Sequence, residues 1–221
     1  PSQYVEVIKG INDLNVLKIT YEDTQRGKMY YEQQKRNELE NTITDLDGFL
    51  KQLNLKVIIK NANEFTIPRI SQLTLKTNQF NLTTKRYQES DIVQLSHDTS
   101  YLIGCAQVLD KFGDNGITGV FIIHKNTPAE WSIDTFLLSC RIMGRDIEKG
   151  IFSYIINMAR ENNVKTIKAK FIPTQKNKPV ENFLPSCGFN KDGNEWIYSL
   201  ESDFIDRKST RLNSSHDQIS Y

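Results

Sequence analysis

Cysteine is scarce, with only Cys105, Cys140 and Cys187 among 221 residues. None stands at metal-ligand spacing from another, so no metal site is expected. An odd count, with no secretory pattern opening the sequence as given, argues against a disulfide framework and for a reducing, cytoplasmic compartment. No apolar run approaches the roughly 20 residues that cross a bilayer. Neither charge is in excess: 28 Lys and Arg against 27 Asp and Glu leave a net +1. Nucleic acid and membrane surfaces are therefore not the expected partners. The remainder, 38% hydrophobic and 25% charged, is ordinary globular composition, long enough for one or two cores.

The chain opens on Pro1 rather than Met, which reads as a fragment or a processed product. Pro1 to Ile8 could end a helix. Thr20-Tyr21-Glu22-Asp23 supplies a cap and first-turn acids for a long polar helix through Met29, Tyr30 and Arg36 to about Glu40. Thr44-Asp45-Leu46-Asp47 starts a second helix whose buried face is Phe49, Leu50 and Leu53. Leu55 to Ile59 is apolar and β-branched, a strand. None of these segments carries visible chemistry.

Asp134 to Glu161 is the stretch that organises the rest. A short apolar run, Phe136 to Leu138, reads as a buried strand. A turn through Arg141, Gly144 and Arg145 follows, then helical spacing at Ile147, Ile151, Tyr154, Ile155 and Met158. A helix N-terminus carries unpaired N–H groups and partial positive charge, and guanidinium forks suit phosphate oxygens. Residue types alone also allow an ordinary β-turn-α unit with two solvated arginines. The turn Arg141-Ile142-Met143-Gly144-Arg145-Asp146 resembles the pyrophosphate-binding turn of the GNAT acyltransferases, Gln/Arg-x-x-Gly-x-Gly/Ala. Asp146 holds the last place, where a carboxylate either repels pyrophosphate or acts as a first-turn acid of the helix.

Pro68 to Tyr87 is chemically unusual. Ile70, Leu73 and Phe80 could share a helix face, but Lys76-Thr77-Asn78-Gln79 and Asn81 are rich in amides and hydroxyls. Buried amides must be hydrogen-bonded, so such a cluster either rigidifies a junction or binds a polar ligand. Residue types alone favour the junction. The stretch is similar, nearly residue for residue, to the R-I-x-Q-L-T-x-K-T-N-Q-F-N-L-T-T-R-R-Y signature of FkbH-like proteins. These are HAD-superfamily phosphatases of subfamily IIIC with a C-terminal GNAT-like region. Lys85 replaces one Arg of the basic pair, and Arg86 keeps the other. The resemblance continues in Asp110 to Gly116, which also reads as a hairpin turn between two apolar runs. It extends through Ser139-Cys140-Arg141 and Pro173-Thr174-Gln175-Lys176-Asn177. Pro179 to Phe189 is similar to the GNAT helix that ends on a Gly-Phe corner, and Trp196 to Leu200 closes the sheet.

The fold class expected is α/β: a GNAT-like mixed central sheet with flanking helices, preceded by a mostly helical HAD remnant. The resemblance places that remnant and linker at residues 1–66 and the GNAT-like domain at 67–205. Asp206 to His216 resembles a translated sequencing adapter, so 206–221 is set aside as a disordered tail and His216 as no ligand. The family's Asp-x-Asp-Thr/Ser loop and its Mg²⁺ belong to a HAD domain that this sequence does not contain. Asp45-Leu46-Asp47 reads as a helix start instead.

What the resemblance implies is transfer of a glyceryl-type acyl group, from a small phosphorylated acid, to the phosphopantetheine thiol of an acyl carrier protein. The pantetheine arm, or CoA, would lie along Phe136 and Leu138, with its phosphate near Arg141, Gly144 and Arg145. Lys76, Thr77, Asn78, Gln79, Asn81 and Arg86 are the substrate or junction residues. Cys140, at a strand end, is the candidate acyl-carrying thiol, against a reading as a buried structural cysteine. Where many GNAT enzymes carry a proton-donating Tyr, four residues before the corner Gly, this chain has Leu184. Asp134 and Glu148 are the nearest to a base, and His97 and His124 have no partner in sequence. The competing readings are a non-catalytic platform that docks the carrier protein and a CoA-dependent N-acetyltransferase.

Overall fold

A computed structural model describes residues 24–43 and 45–200, with short strands at 212–213 and 218–220. The helix end expected at Pro1–Ile8, the cap at Thr20–Asp23 and Thr44 lie outside the described residues. Helix α1 (Arg26–Thr42) is polar on most of its surface. Helix α2 (Leu46–Leu53) begins where the Asp45 carboxylate accepts from the Gly48 N–H at 2.6 Å, and it ends on Asn54 in the left-handed region. An Asp at the N-cap satisfies one orphan amide, which is why this Asp-x-Asp starts a helix. Phe49, Leu50 and Leu53 are buried as the spacing predicts.

Strand β1 (Lys56–Asn61) pairs antiparallel with β3 along its whole length, from Lys56 with Leu109 to Asn61 with Gly104. The boundary expected at residue 66 therefore moves: β1 belongs to the central sheet, and only α1 and α2 precede it. Helix α3 (Ile67–Lys76) follows, with Pro68 in its first turn where no N–H is needed. A two-residue strand β2 (Phe80–Asn81) and helix α4 (Glu89–His97) come next. Gln88 and Asp91 cap α4 reciprocally. Strands β3 (Tyr101–Asp110) and β4 (Gly113–Thr127) form the expected hairpin, and β5 (Glu130–Leu138) completes a three-strand meander.

Helix α5 (Ile147–Glu161) crosses over to β6 (Thr166–Ala169), which pairs parallel with β5. The helix expected over Pro179–Phe189 is two short turns, Lys178–Val180 and α6 (Phe183–Ser186); Pro179 and Pro185 remove the N–H groups a longer helix needs. Strands β7 (Asn190–Asp192) and β8 (Glu195–Ser199) close that edge. At the other edge β10 (Gln218–Ser220) pairs with β1 and with β9 (Leu212–Asn213). Disorder was the expectation for this tail; the otherwise unpaired backbone of β1 gives these residues a template. The sheet order is β7-β8-β6-β5-β4-β3-β1-β10-β9.

Apolar residues cover both faces of the sheet. Ile67, Ile70 and Leu73 of α3 and Ile92 of α4 pack on Cys105, Val120 and Ile122. On the other face α2, α5 and α6 bury Leu53, Ile151, Phe152, Ile155 and Leu184 against Val57, Phe121 and Phe136.

Candidate functional site

Parallel strands β5 and β6 pair only from Glu130 with Thr166 to Ile133 with Ala169. Beyond Ile133 they separate, and the chain itself fills the gap. Phe80 and Asn81 of β2 pair antiparallel with Leu138 and Leu137. Leu82 then donates its N–H to Phe136 O at 3.1 Å, and its own carbonyl accepts from Ile172 N–H at 2.9 Å. Residues 80–82 thus bridge β5 to the segment after β6, and the Phe136–Leu138 edge carries a strand already. The Phe80 ring seals it, lying 5.4 Å from Phe183, which stacks on Phe136 at 5.0 Å.

Side chains hold this strap at each end. Asn177 is fully buried; its amide donates to Asn81 O at 3.0 Å and Ile172 O at 2.9 Å and accepts from Thr174 N–H at 2.6 Å. Asn81, also fully buried, donates to Thr77 O and accepts from Thr84 N–H. Asp134 on β5 accepts from the Tyr87 hydroxyl at 2.6 Å and pairs with Lys85. Burial, then the Asp134 hydrogen bond, pushes the Tyr87 phenol well above its ordinary range. Arg86 donates to the carbonyls of Thr74 and Thr77 and to the Asn78 side chain.

At the C-terminal end of β5 a cavity of about 730 Å³ opens, within the range of small-molecule sites. Lys76, Thr77, Asn78, Gln79, Cys140 and Arg141 line it, so two sequence-distant motifs meet there. Arg69, Gln72, Leu73, Ser139, Gln175 and Lys176 complete the wall, and no Asp or Glu belongs to it among the described residues. Cys140 is exposed, whereas Cys105 is buried and burial pushes the Cys187 thiol up to about 12.

The turn after β5 faces helix α1. Arg141 donates to the Met29 thioether. Arg145 is buried, 3.8 Å from the Asp110 carboxylate, and its Nη1 has no hydrogen bond. Gly144 adopts φ +77 and Asp146 φ 55; the Asp146 side chain makes no cap hydrogen bond to α5 and pairs with Lys149 at 2.8 Å.

No family model and no curated protein matches the sequence. Solved structures do match. A GNAT-family protein from Desulfovibrio desulfuricans superposes with TM-score 0.53 at 10% identity, over 65% of this chain and 99% of its own. A GNAT-family acetyltransferase from Staphylococcus aureus gives 0.51 at 12% identity, over 66% and 99%. The ribosomal-protein-S18-alanine N-acetyltransferase of Escherichia coli gives 0.50 at 11%, over 69% and 98%. The fold is that of the GNAT acyltransferases.

On this GNAT fold the expected site residues separate into groups. Cys140 and Arg141 meet Lys76, Thr77, Asn78 and Gln79 in the cavity. Phe136 and Leu138 do not offer a free edge, because β2 and Leu82 occupy it. Gly144 and Arg145 lie outside the cavity wall, with Arg145 turned to Asp110. Asn81 and Arg86 serve the junction, since their polar atoms are spent on the strap's own backbone and side chains. Sequence reasoning missed Arg69, Gln72, Gln175 and Lys176, although the Pro173–Asn177 motif pointed to the last two.

Neither expected base reaches the cavity. Asp134 anchors the strap, and Leu184 is buried in the core. Glu148 sits in the first turn of α5 with one carboxyl oxygen buried and unbonded, and burial raises its pKa. A folded-state pKa above the unfolded one penalises the ionised form fully at high pH and not at low pH. Glu148→Gln should therefore stabilise the fold by roughly 1 kcal/mol at pH 8, with the gain vanishing near pH 4. Urea denaturation at the two pH values reads the difference; destabilisation at pH 8 would show the charge to be favourable.

Proposed function

We propose that this chain transfers an acyl group to the phosphopantetheine thiol of an acyl carrier protein, acting at the cavity rather than along the β5 edge. The observation that carries this is an exposed thiol, Cys140, at the end of β5, inside a wall that contributes cations and amides but no carboxylate. Cys140 Sγ attacks an activated acyl carbonyl and expels its leaving group, becoming a thioester. The carrier's thiol then attacks that carbonyl, and as its C–S bond forms the Cys140 C–S bond breaks and the proton passes to the departing Cys140 sulfur. Arg141 and Lys76, in the same wall, offer positive charge to the oxyanion that forms in each step. The signature stretch and the Ser139–Arg141 and Pro173–Asn177 motifs support placing the chain with FkbH-like proteins, which makes the acyl group glyceryl-type. The phosphatase chemistry and its Mg²⁺ belong to a separate HAD domain.

A carrier-docking platform is the second reading, favoured by the strap across β5 and by Leu184. An N-acetyltransferase reading finds no carboxylate or histidine base at the cavity among the described residues, and Leu184 stands where many GNAT enzymes carry the Tyr. Intact-protein mass spectrometry separates these readings. After incubation with a glyceryl thioester, the chain should gain one acyl adduct, mapped to Cys140, and pass it to phosphopantetheinylated carrier protein. Cys140→Ser should lose the adduct, with transfer reduced at least about a hundredfold and an unchanged melting temperature. Iodoacetamide should label Cys140 first in the native state. Transfer undiminished in Cys140→Ser, with carrier binding retained, gives the docking reading.

A further inference from the structure

We infer that Met29 of α1 is a positioning residue for the cavity, holding the Arg141 guanidinium beside Cys140 without neutralising it. The inference rests on the acyl-transfer reading for the oxyanion that Arg141 meets, but not for the aiming of the guanidinium. Two arginines leave the turn after β5, and the fold treats them differently. Arg145 is buried 3.8 Å from the Asp110 carboxylate, so its charge is answered inside the fold. Arg141 lines the cavity, and among the described residues it forms no ion pair. Its Nη1 donates instead to the thioether of Met29, 112 residues earlier. A thioether is a weak, uncharged acceptor. It fixes where the guanidinium points and leaves the positive charge to act elsewhere, whereas a carboxylate in its place would cancel that charge.

Packing does not account for Met29. Every other buried hydrophobic among the described residues joins one of the two apolar clusters that cover the sheet; Met29 is buried and joins neither. It stands on an inward stripe with Glu32 and Arg36, at helical spacing and all buried, while Tyr30 and Tyr31 beside it are 75% and 60% exposed. Farther along α1, Leu39 and Ile43 do pack on the core. Apolar contact therefore seats the C-terminal half of the helix, and side-chain pairing seats the N-terminal half. Arg36 forks onto Asp110, and about two turns earlier Met29 receives Arg141. The fork fixes the axial position and rotation of α1 against the central hairpin, which in turn fixes the sulfur that aims the cavity's guanidinium.

Alkylation of Cys140 by reagents of different charge reads the aim. Anionic iodoacetate and neutral iodoacetamide attack the same thiol, so the ratio of their rates reports local positive charge and not the thiolate fraction. Rates are taken on the full chain at fixed pH and ionic strength, with the adduct mapped to Cys140. Arg141→Gln should lower the iodoacetate-to-iodoacetamide ratio at least about threefold. Met29→Leu nearly conserves volume and deletes the acceptor; it should lower the ratio at least about twofold, with the melting temperature within about 5 °C of wild type. Met29→Gln, which supplies an uncharged acceptor again, should bring the ratio back toward wild type. A wild-type ratio in Met29→Leu beside a lowered one in Arg141→Gln means that Arg141 is aimed without Met29, and overturns the inference. So does an unchanged ratio in both, which places no Arg141 charge at the thiol. The acyl-transfer reading fails separately: if the ratios move as expected and Cys140→Ser still passes acyl groups to carrier protein, the positioning stands and the proposed function falls.

Discussion

Arg36→Ala should cost about 3–5 kcal/mol of folding stability at pH 7, because it strands a buried carboxylate. Arg36 is 2% exposed and the Asp110 side chain is 0% exposed. The guanidinium grips both carboxylate oxygens, Nε to Oδ2 at 2.6 Å and Nη2 to Oδ1 at 2.9 Å. The same carboxylate accepts from the Phe112 and Gly113 N–H groups and from Asn115, tying the β3–β4 turn. One ion pair therefore locks α1 onto the central hairpin. Glu32 of α1 stands 3.7 Å from Arg36, and Arg145 is 3.8 Å from Asp110. Removing Arg36 keeps the Phe112, Gly113 and Asn115 donors but, among the described residues, leaves Arg145 as the one nearby cation, at a distance too long for a hydrogen bond.

Acid titration should distinguish this mechanism from a simple packing loss. Burial works to raise the Asp110 pKa, but the Arg36 hydrogen bonds and charge override it and hold the carboxyl below its usual range. A depressed folded pKa contributes stability above the unfolded value of about 3.9, and that stability is lost as pH falls through the folded pKa. The gap between wild type and Arg36→Ala should thus be widest near neutrality and narrow below pH 4. Arg36→Lys should recover only part of it, since an ammonium cannot make the fork. Arg36→Met/Asp110→Leu should cost less than Arg36→Ala, because no charge is left buried. Guanidinium denaturation across pH reads all four proteins. A loss under 1 kcal/mol for Arg36→Ala, flat with pH, would mean that Asp110 is solvated in solution.

Periodicity revealed the elements that bury one face or run apolar: α2, β1, the β3–β4 hairpin, β5 and α5. It was weakest where local sequence and tertiary role diverge. Helix α4 has only Ile92 fully buried and a Gln as its cap, so neither a stripe nor a usual start residue marks it. Phe80 reads as part of a helix face by spacing, yet Thr77 turns extended and the ring joins Phe136 and Phe183 instead. The cavity was half legible. Its cations come from residues 69–76, 141 and 176, and no local pattern can announce that three such segments meet. Gly144 and Arg145 were expected to hold phosphate on the strength of a turn motif. The motif fixes backbone conformation, but the Arg145 side chain goes to whichever anion the fold supplies, here Asp110.

Asn177→Ala should cost about 2–4 kcal/mol, and most of the damage should be local to the strap. Three groups lose their partner at once: the buried Asn81 carbonyl, and the part-buried Ile172 carbonyl and Thr174 N–H. Each buried polar group left unpaired costs roughly 1–3 kcal/mol, and an admitted water recovers part of it. Asn177→Asp should be no milder, because it keeps the acceptor, deletes both donors and buries a charge. What the strap then retains is the Phe80 ring, worth about 1.5–3 kcal/mol of burial, its backbone pairs to β5, and the Asn81 and Asp134 side-chain bonds. Hydrogen exchange gives the decisive reading. The Leu82 and Ile172 amides, which bond Phe136 O and Leu82 O, should exchange at least about thirtyfold faster. Amides on the β3–β4 ladder should follow only the global change. Uniform acceleration across the sheet would mean that the strap and the sheet open as one unit. The expected local opening would instead make the odd amide-rich signature intelligible: Asn81 and Asn177 are there because a strand inserted between diverging neighbours has no long ladder of its own, and side-chain amides supply the pairing that the backbone cannot.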